Sequence, residues 1–180
     1  RILVLVGPGN NGGDGLVAAR LLHSLGADVS VALLADESSM AESARVNLAA
    51  TLRCGVEVRR LSSAEELGLG RPCDVVIDAL LGTGLSRSPE GMYRAVIERV
   101  NASGLRVLAV DIPSGVNGDT GAAAGAAIRA TCTVTFGLPK RGNLLPPGRE
   151  LCGKLYVSHI SFPPSLCGSP SRPSVRAAPS

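Results

Sequence analysis

The chain has 180 residues, a length typical of one globular domain with a substantial core. Hydrophobic residues make up 45% of it and charged residues only 18%, which excludes an intrinsically disordered protein. The formal net charge is only +3 and 2% of the residues are aromatic, so few side chains could stack on bases and nucleic-acid binding is not favoured.

No apolar run reaches the ~20 residues that a membrane span needs, and the sequence opens without a signal-peptide pattern. We therefore expect a soluble, cytoplasmic protein with no membrane partner. The five cysteines form no C-x-x-C pair, which fits reduced thiols in the cytosol. They are Cys54, Cys73, Cys132, Cys152 and Cys167.

Seven strand-like runs alternate with three helical patterns, at 15–25, 38–53 and 91–102. Most of these runs are continuously apolar, which is typical of parallel strands buried on both faces. The alternation predicts an α/β fold, a doubly wound three-layer α/β/α sandwich with a mostly parallel central sheet. The predicted strands are 2–6, 28–34, 56–61, 74–78, 106–111, 130–136 and 155–160.

The composition changes near residue 163, where Pro, Ser and Arg become frequent. We therefore predict one domain over 1–162 and a disordered tail over 163–180. In a doubly wound sheet, ligands bind in the crevice beyond the carboxyl ends of the strands. The loops at these ends are where a site is expected.

A glycine-rich run, 7–15, follows the first strand and leads into the first helix. Free N–H groups at a helix N-terminus attract anions, so this run indicates a nucleotide site. Three of its glycines satisfy the pattern G-x-G-x-x-G, but Pro8 removes a backbone donor and Asp14 adds a carboxylate where phosphate would lie. The alternative is a tight turn in which Asp14 only caps the helix.

Asp78 and Asp111 each end an apolar run, where a carboxylate is partly desolvated and suited to acid–base or cation chemistry. The Asn11 amide, the Asp78 carboxylate and the Ser114 hydroxyl together offer hard oxygen ligands with a single negative charge. Such a set favours K⁺ or Na⁺ over Mg²⁺ or Ca²⁺. For either aspartate alone, hydrogen bonding to the amides of the next turn is an equally good interpretation.

Four motifs occur in order: G-P-G-N-N-G-G-D-G at 7–15, D-A-L-L-G-T-G-L-S-R at 78–87, V-D-I-P-S-G-V-N-G-D-T-G at 110–121 and T-F-G-L-P-K-R-G at 135–142. Together they resemble the NAD(P)H-hydrate epimerase family, the YjeF N-terminal domain, from residue 1 to about 160. The resemblance implies a Rossmann-like fold and an isomerase that interconverts the R and S forms of NADHX and NADPHX. These are hydrated forms of NADH and NADPH, and their epimerisation is a step in nicotinamide nucleotide repair.

The resemblance also implies roles for individual residues. It makes Asp111 the catalytic carboxylate and places one potassium ion per subunit on Asn11, Asp78 and Ser114. It further implies a homodimer and a functional pairing with an NAD(P)H-hydrate dehydratase. The substrate contacts that it implies are Asn10, Asn11, Gly12, Gly13, Asp14, Gly82, Thr83, Gly84, Leu85, Ser86, Arg87, Ser88 and Asp111.

Members of this family carry a helical segment of some dozens of residues before the first strand, and this sequence begins at that strand. The resemblance implies that the segment helps to build the dimer and to cover the site. We therefore expect the chain to expose apolar surface that the segment covers in relatives.

Two other functions are compatible with the sequence. An NAD(P)-dependent dehydrogenase would use Asp36 as its ribose-binding acid, but no proton-relay His or Tyr-x-x-x-Lys pair accompanies it. A non-catalytic nucleotide-binding or dimerisation module would have no need of Asp111. Three cations at 140–149 are interpreted as a solvated rim rather than a binding patch. They are Lys140, Arg141 and Arg149.

Overall fold

A sheet of eight strands runs through the middle of the molecule. The computed structural model describes residues 1–69, 73–85, 87–123, 125–160, 162–163 and 176–177. The strands are β1 (Ile2–Val6), β2 (Val29–Leu33), β3 (Glu57–Arg60), β4 (Val75–Ala79), β5 (Arg106–Val110), β6 (Cys132–Phe136), β7 (Lys154–Ser158) and β8 (Arg176–Ala177). Their order is β3-β2-β1-β4-β5-β6-β7-β8. Strands β1 to β7 are parallel, whereas β8 pairs antiparallel with β7.

In the described residues, three longer helices and two short ones connect the strands. They are α1 (Asn10–Ser24), α2 (Glu42–Arg53), α3 (Gly91–Ala102), α4 (Arg141–Leu144) and α5 (Gly148–Leu151). Single 3₁₀ turns occur at Glu37–Ser39 and Ala64–Leu67. Among the helices in the described ranges, none combines the length and the apolar character needed to cross a membrane.

Alternate residues of β1 belong to two separate cores, because successive side chains of a strand point to opposite faces. Leu5 packs in the core that contains Ile97 of α3. Val4 packs in the core that contains Leu16 of α1 and Leu48 of α2. Helices therefore cover both faces of the sheet, which confirms the predicted Rossmann-like three-layer α/β/α sandwich.

The predicted start of the first helix is wrong by five residues: α1 begins at Asn10, inside the glycine-rich run. Its glycines allow the first turn to press against the sheet. A Cβ at Gly12 would lie 2.0 Å from the carbonyl oxygen of Gly7, and one at Gly15 would lie 2.4 Å from another side chain. The capping interpretation of Asp14 is also wrong, since Gly9 occupies the N-cap position.

Little of the predicted tail falls within the described residues. Of the range 163–180, only residues 163, 176 and 177 are described, and the last two form β8. The division into a domain over 1–162 and a disordered tail over 163–180 stays a prediction.

Candidate active site

A cleft opens at the carboxyl ends of the parallel strands, where the strand order reverses between β1 and β4. This reversal is the place at which doubly wound sheets bind ligands. The cleft has a volume of about 570 Å³. It is lined by Pro8, Gly9, Asn10, Asn11, Asp14, Leu80, Leu81, Gly82, Thr83, Gly84, Leu85, Arg87 and Asp111.

The N-terminus of α1 faces this cleft, and no side chain caps it. Its first free N–H groups can therefore donate hydrogen bonds to an anion in the cleft. The chain that leaves β1 passes close to the end of β4, and this depends on Gly7, where a Cβ would lie 1.8 Å from the carbonyl oxygen of Leu80. The side chain of Asn10 is fixed by the Ser43 hydroxyl, which donates to its Oδ1 over 2.8 Å. Backbone contact between the β1 and β4 ends thus sets one wall of the cleft.

Asp78 lies at the end of β4 and is completely buried. Its carboxylate accepts hydrogen bonds from the backbone N–H of Ser114 at 2.8 Å, from the Ser114 hydroxyl at 2.6 Å and from the N–H of Leu80 at 3.3 Å. Removal from water outweighs these bonds and raises the pKa of Asp78 to about 6. A buried carboxylate with only neutral donors around it is suited to a cation.

The surroundings of Asn11 test whether these residues could bind a cation. Its Nδ2 donates to the carbonyl of Leu81 over 3.1 Å, while its buried Oδ1 has no hydrogen-bond partner in the described part of the chain. The Ser114 hydroxyl accepts from the N–H of the same Leu81 over 2.9 Å, so both side chains converge on one residue. An unpartnered amide oxygen, a hydroxyl and one carboxylate fit a monovalent ion such as K⁺.

The donor set also argues against other metals. In the described ranges, no group of three or more His, Cys, Asp or Glu side chains could hold a metal ion. Zinc and the transition metals need such ligands, and Mg²⁺ or Ca²⁺ recruits more negative charge.

Asp111 follows the last residue of β5 and has a left-handed backbone, with φ of 68°. It is the centre of a three-residue turn that is closed by the N–H of Ile112 donating to the carbonyl of Val110 over 2.8 Å. Its own N–H donates to the carbonyl of Val134 over 2.8 Å. Turns of this kind are rare and strained, and such strain is concentrated at functional sites.

The Asp111 carboxylate is held from one side. Its Oδ1 accepts from the Thr135 hydroxyl at 3.0 Å, from the N–H of Phe136 at 3.1 Å and from the Lys140 ammonium. Lys140 also donates to the carbonyl of Phe136 over 2.9 Å. All the hydrogen bonds that the described residues make to this carboxylate go to Oδ1, which leaves Oδ2 for the cleft.

The interpretation of Lys140 as part of a solvated rim is therefore wrong. Its side chain is 25% exposed and forms an ion pair with Asp111, whereas Arg141 and Arg149 are exposed. Buried Asn143 supports the pair, because its Oδ1 accepts from the N–H of Lys140 over 2.8 Å and its Nδ2 donates to the Asp111 carbonyl over 3.3 Å. Sequence reasoning missed both roles, and the only signal was the place of Lys140 in the fourth motif, which Asn143 directly follows.

Asp14 is exposed on the side of α1 that lines the cleft. Partial removal from water and, second, the charge of Asp111 raise the pKa of Asp14, and the Lys140 ammonium acts in the opposite direction. The lining of the cleft therefore contains two carboxyl groups within electrostatic reach of each other and of Lys140.

Most of the predicted substrate residues line the cleft, but not all. Gly12 and Gly13 are buried in the first turn of α1, against Gly7 and Ala44, and Ser88 is half-buried outside the lining set. Ser86 lies outside the described residues. The predicted residues that the cleft brings together are Asn10, Asn11, Asp14, Gly82, Thr83, Gly84, Leu85, Arg87 and Asp111.

The dehydrogenase alternative is not supported by the position of Asp36. This residue is absent from the lining of the cleft, and its exposed carboxylate forms an ion pair with Arg60 on β3. The side chain that was to bind ribose is therefore engaged elsewhere.

Comparison with known proteins gives relatives of two kinds. The chain is 55% identical over 166 residues to the bifunctional NAD(P)H-hydrate repair enzyme Nnr of Thermofilum pendens, which covers 91% of this chain and 32% of that protein. It is 40% identical over 158 residues to the NAD(P)H-hydrate epimerase of Limosilactobacillus fermentum, covering 88% and 74% of the two chains. The chain thus spans about a third of the length of its bifunctional relatives.

A crystal structure of the yeast protein ynu0 has the same fold, with a TM-score of 0.81 and 22% sequence identity over 99% of this chain and 77% of that one. The family model described as YjeF-related protein N-terminus matches residues 1–142. That range includes the glycine-rich turn, both aspartates at the strand ends and the lysine that binds one of them. On this match and on the relatives of similar length, the chain belongs to the family of YjeF-related protein N-termini.

Proposed function

We propose that this chain is an NAD(P)H-hydrate epimerase, an isomerase that interconverts the R and S forms of NADHX and NADPHX. The observation that carries the proposal is Asp111, a carboxylate held on a strained turn with one oxygen bound by Lys140 and the other left for the cleft. The epimerase of Limosilactobacillus fermentum, which this chain covers over 74% of its length, supports the same activity.

The reaction suits a fixed carboxylate. In a nicotinamide hydrate, C6 bears a hydroxyl and is bonded to the ring nitrogen N1. Protonation of the hydroxyl allows it to leave as water, while the N1 lone pair forms a double bond to C6. Water then adds to the opposite face of the planar C6 and loses a proton. Asp111 would take part in proton transfer and would stabilise the cationic intermediate by its charge.

The rest of the cleft would bind the dinucleotide. The uncapped N-terminus of α1 can receive a phosphate group, and exposed Arg87 in the lining can pair with a second negative charge. Thr83 offers a hydroxyl on the facing loop. A diphosphate placed between these groups would orient the hydrated ring towards Asp111.

A potassium ion, one per subunit, would be held by Asn11, Asp78 and Ser114. When bound, it would supply a positive charge beneath the loop that follows β4. Asn11 Oδ1 would then gain the partner that it lacks, and the Asp78 carboxylate would be neutralised in its buried position. Asn11 lies at the start of α1 and Asp78 at the end of β4, so an ion bound to both would hold the two walls of the cleft together.

The same proposal includes a homodimer, a cytoplasmic location and functional pairing with an NAD(P)H-hydrate dehydratase. The bifunctional repair enzymes related to this chain support the pairing, since a single chain of theirs carries a matching region in 32% of its length. A non-catalytic module is the alternative, and a strained aspartate bound by a lysine would serve no purpose in it.

The proposal is tested by adding the purified chain to separated R and S NADHX in potassium buffer and following both epimers by chromatography. Starting from either epimer, we expect approach to the same equilibrium mixture faster than in a sample without protein. Equal rates with and without protein would contradict the proposal.

A further inference from the structure

The cleft contains two aspartates in different surroundings. Asp111 comes from the end of β5, and Lys140 donates to its Oδ1. Asp14 comes from α1 and projects into the same cleft, and the influences on it are partial desolvation and the charges of Asp111 and Lys140. The Asp111 carboxylate is therefore paired with the Lys140 ammonium, whereas the Asp14 carboxyl group is available to a ligand in the cleft.

Inversion at C6 requires proton transfer on both faces of the ring. The hydroxyl leaves from one face and must gain a proton, while water arrives on the other face and must lose one. A single carboxylate fixed as firmly as Asp111 lies on one side of a bound ring only. A second group that can carry a proton is needed, and Asp14 is the other carboxyl group in the lining.

We propose that Asp14 is a second catalytic carboxyl group, which exchanges a proton with the C6 oxygen on one face of the nicotinamide ring while Asp111 does so on the other. This inference rests on the proposed epimerase function. It assigns acid–base chemistry to a residue that the sequence motif would place only among the substrate contacts.

The steps balance with these two residues and water. Protonated Asp14 gives its proton to the C6 hydroxyl, the C6–O bond breaks, and its electron pair leaves with water. The N1 lone pair forms the C6=N1 bond. A water molecule adds to the opposite face, returns that electron pair to N1, and gives a proton to Asp111. The reverse epimerisation uses Asp111 as the acid and Asp14 as the base, and proton exchange with solvent resets the pair.

The surroundings of Asp14 favour its protonated form. Partial desolvation and the negative charge of Asp111 raise the pKa of Asp14, so Asp14 retains a proton at a higher pH than an ordinary aspartate. The charged groups that act on Asp14 are Asp111 and Lys140, and Arg87 belongs to the lining of the same cleft. A carboxyl group that keeps its proton more readily than usual is suited to act as a general acid.

The test compares Asp14→Asn and Asp14→Glu with the wild type and with Asp119→Asn. Asp119 is exposed and absent from the cleft lining, so its variant controls for the loss of one carboxylate. We measure kcat and KM for epimerisation of S-NADHX from pH 4 to pH 9, above the spontaneous rate at each pH, and the binding of intact NADPH by fluorescence.

In Asp14→Asn, we expect kcat to fall about 100-fold while NADPH binds as in the wild type, because the amide fills the same space but cannot act as a general acid or base. The wild-type rate should fall as the pH rises through the raised pKa of Asp14 and this group loses its proton, and this fall should vanish in the variant. If Asp14→Asn has no measurable rate, Asp14→Glu decides: activity that falls as the pH rises supports the proposal, and no activity overturns it.

Turnover of Asp14→Asn within threefold of the wild type would overturn the proposal. So would a slower variant whose rate keeps the wild-type fall with rising pH, since Asp14 would then act only in binding. Failure of the wild type to interconvert the epimers is a separate result, which would overturn the proposed function itself.

Discussion

Asp78 and Asp111 occupy similar places in the sequence and very different places in the molecule. Each follows a buried apolar run of a parallel strand, and β4 and β5 are neighbours in the sheet. Asp78 is completely buried among neutral donors, with a pKa raised to about 6. Asp111 lies on a strained turn at the edge of the cleft, with an ammonium group on one oxygen. The first is suited to hold a cation, and the second to exchange a proton.

The difference arises from the position of each residue relative to the end of its strand. Asp78 is still inside β4, in register with Leu5 of β1 and Ala109 of β5, so neighbouring strands enclose it. Asp111 is one residue past the end of β5, where the chain turns and the side chain reaches the crevice. A shift by one or two residues at a strand end therefore separates a ligand carboxylate from a reactive one.

The largest effect is expected for Asp111→Asn. The amide keeps the shape of the side chain but can neither carry the proton nor balance the cationic intermediate, so kcat should fall by about 10² to 10⁴. Binding of intact NADPH should change little. Epimerisation of S-NADHX is measured above the spontaneous rate, and near-normal turnover would show that Asp111 is not the reactive group.

The next largest effect is on stability and concerns the contact that holds the β1 and β4 ends together. Gly7→Ala places a Cβ 1.8 Å from the Leu80 carbonyl oxygen, so the backbone must move. We expect the free energy of unfolding in urea to fall by about 3 kcal/mol. Gly84→Ala is the matched control, because a Cβ there meets no heavy atom within 4 Å. Equal stability of the two variants would contradict the close approach.

A smaller effect on kcat is expected when the Lys140 ammonium group is removed from Asp111. Lys140→Met preserves most of the length of the side chain but takes away the charged hydrogen bond, and kcat should fall about 10- to 100-fold. Lys154→Met removes an exposed lysine that lies over the ring of Tyr156, and it should leave kcat unchanged. If the two variants have the same kcat, the ion pair plays no part in the reaction.

The smallest effect is expected at Asp78. Asp78→Asn removes the single negative charge from the cation ligands, so half-maximal activity should require about tenfold more K⁺. Raising the K⁺ concentration should recover part of the lost activity, which it cannot do for Asp111→Asn. Activity and melting temperature that are identical in potassium, sodium and a bulky organic cation would show that no cation binds there.

The strands could be predicted well from the sequence because the sheet is buried on both faces. Strand β1 was predicted without error, and the other parallel strands to within two residues at either end. The start of α1 could not be predicted, because glycine disfavours helix. The glycine-rich first turn is helical because it packs closely against Gly7 and the sheet. The low helix propensity of this glycine-rich segment is overridden by tertiary packing.

The candidate site was predicted in part for a related reason. Asn11, Asp78 and Ser114 could be grouped because the carboxyl ends of parallel strands meet at one edge. Lys140 could not, since it is 29 residues from Asp111 in sequence and reaches it only through the turn that precedes α4. Nothing in the local sequence distinguishes a lysine that binds a carboxylate from one in solvent.

The left-handed backbone at Asp111 has a consequence for the divergence of such proteins. Glycine takes a φ of 68° without strain, and asparagine takes it readily, whereas most other residues pay ~1 kcal/mol or more. If selection for turnover were relaxed, replacement of Asp111 by either residue would lower the strain in the turn and leave the fold intact. A descendant that had become a pure binding protein would thus be marked by the residue at this one turn, while its core and its glycine contacts stayed the same.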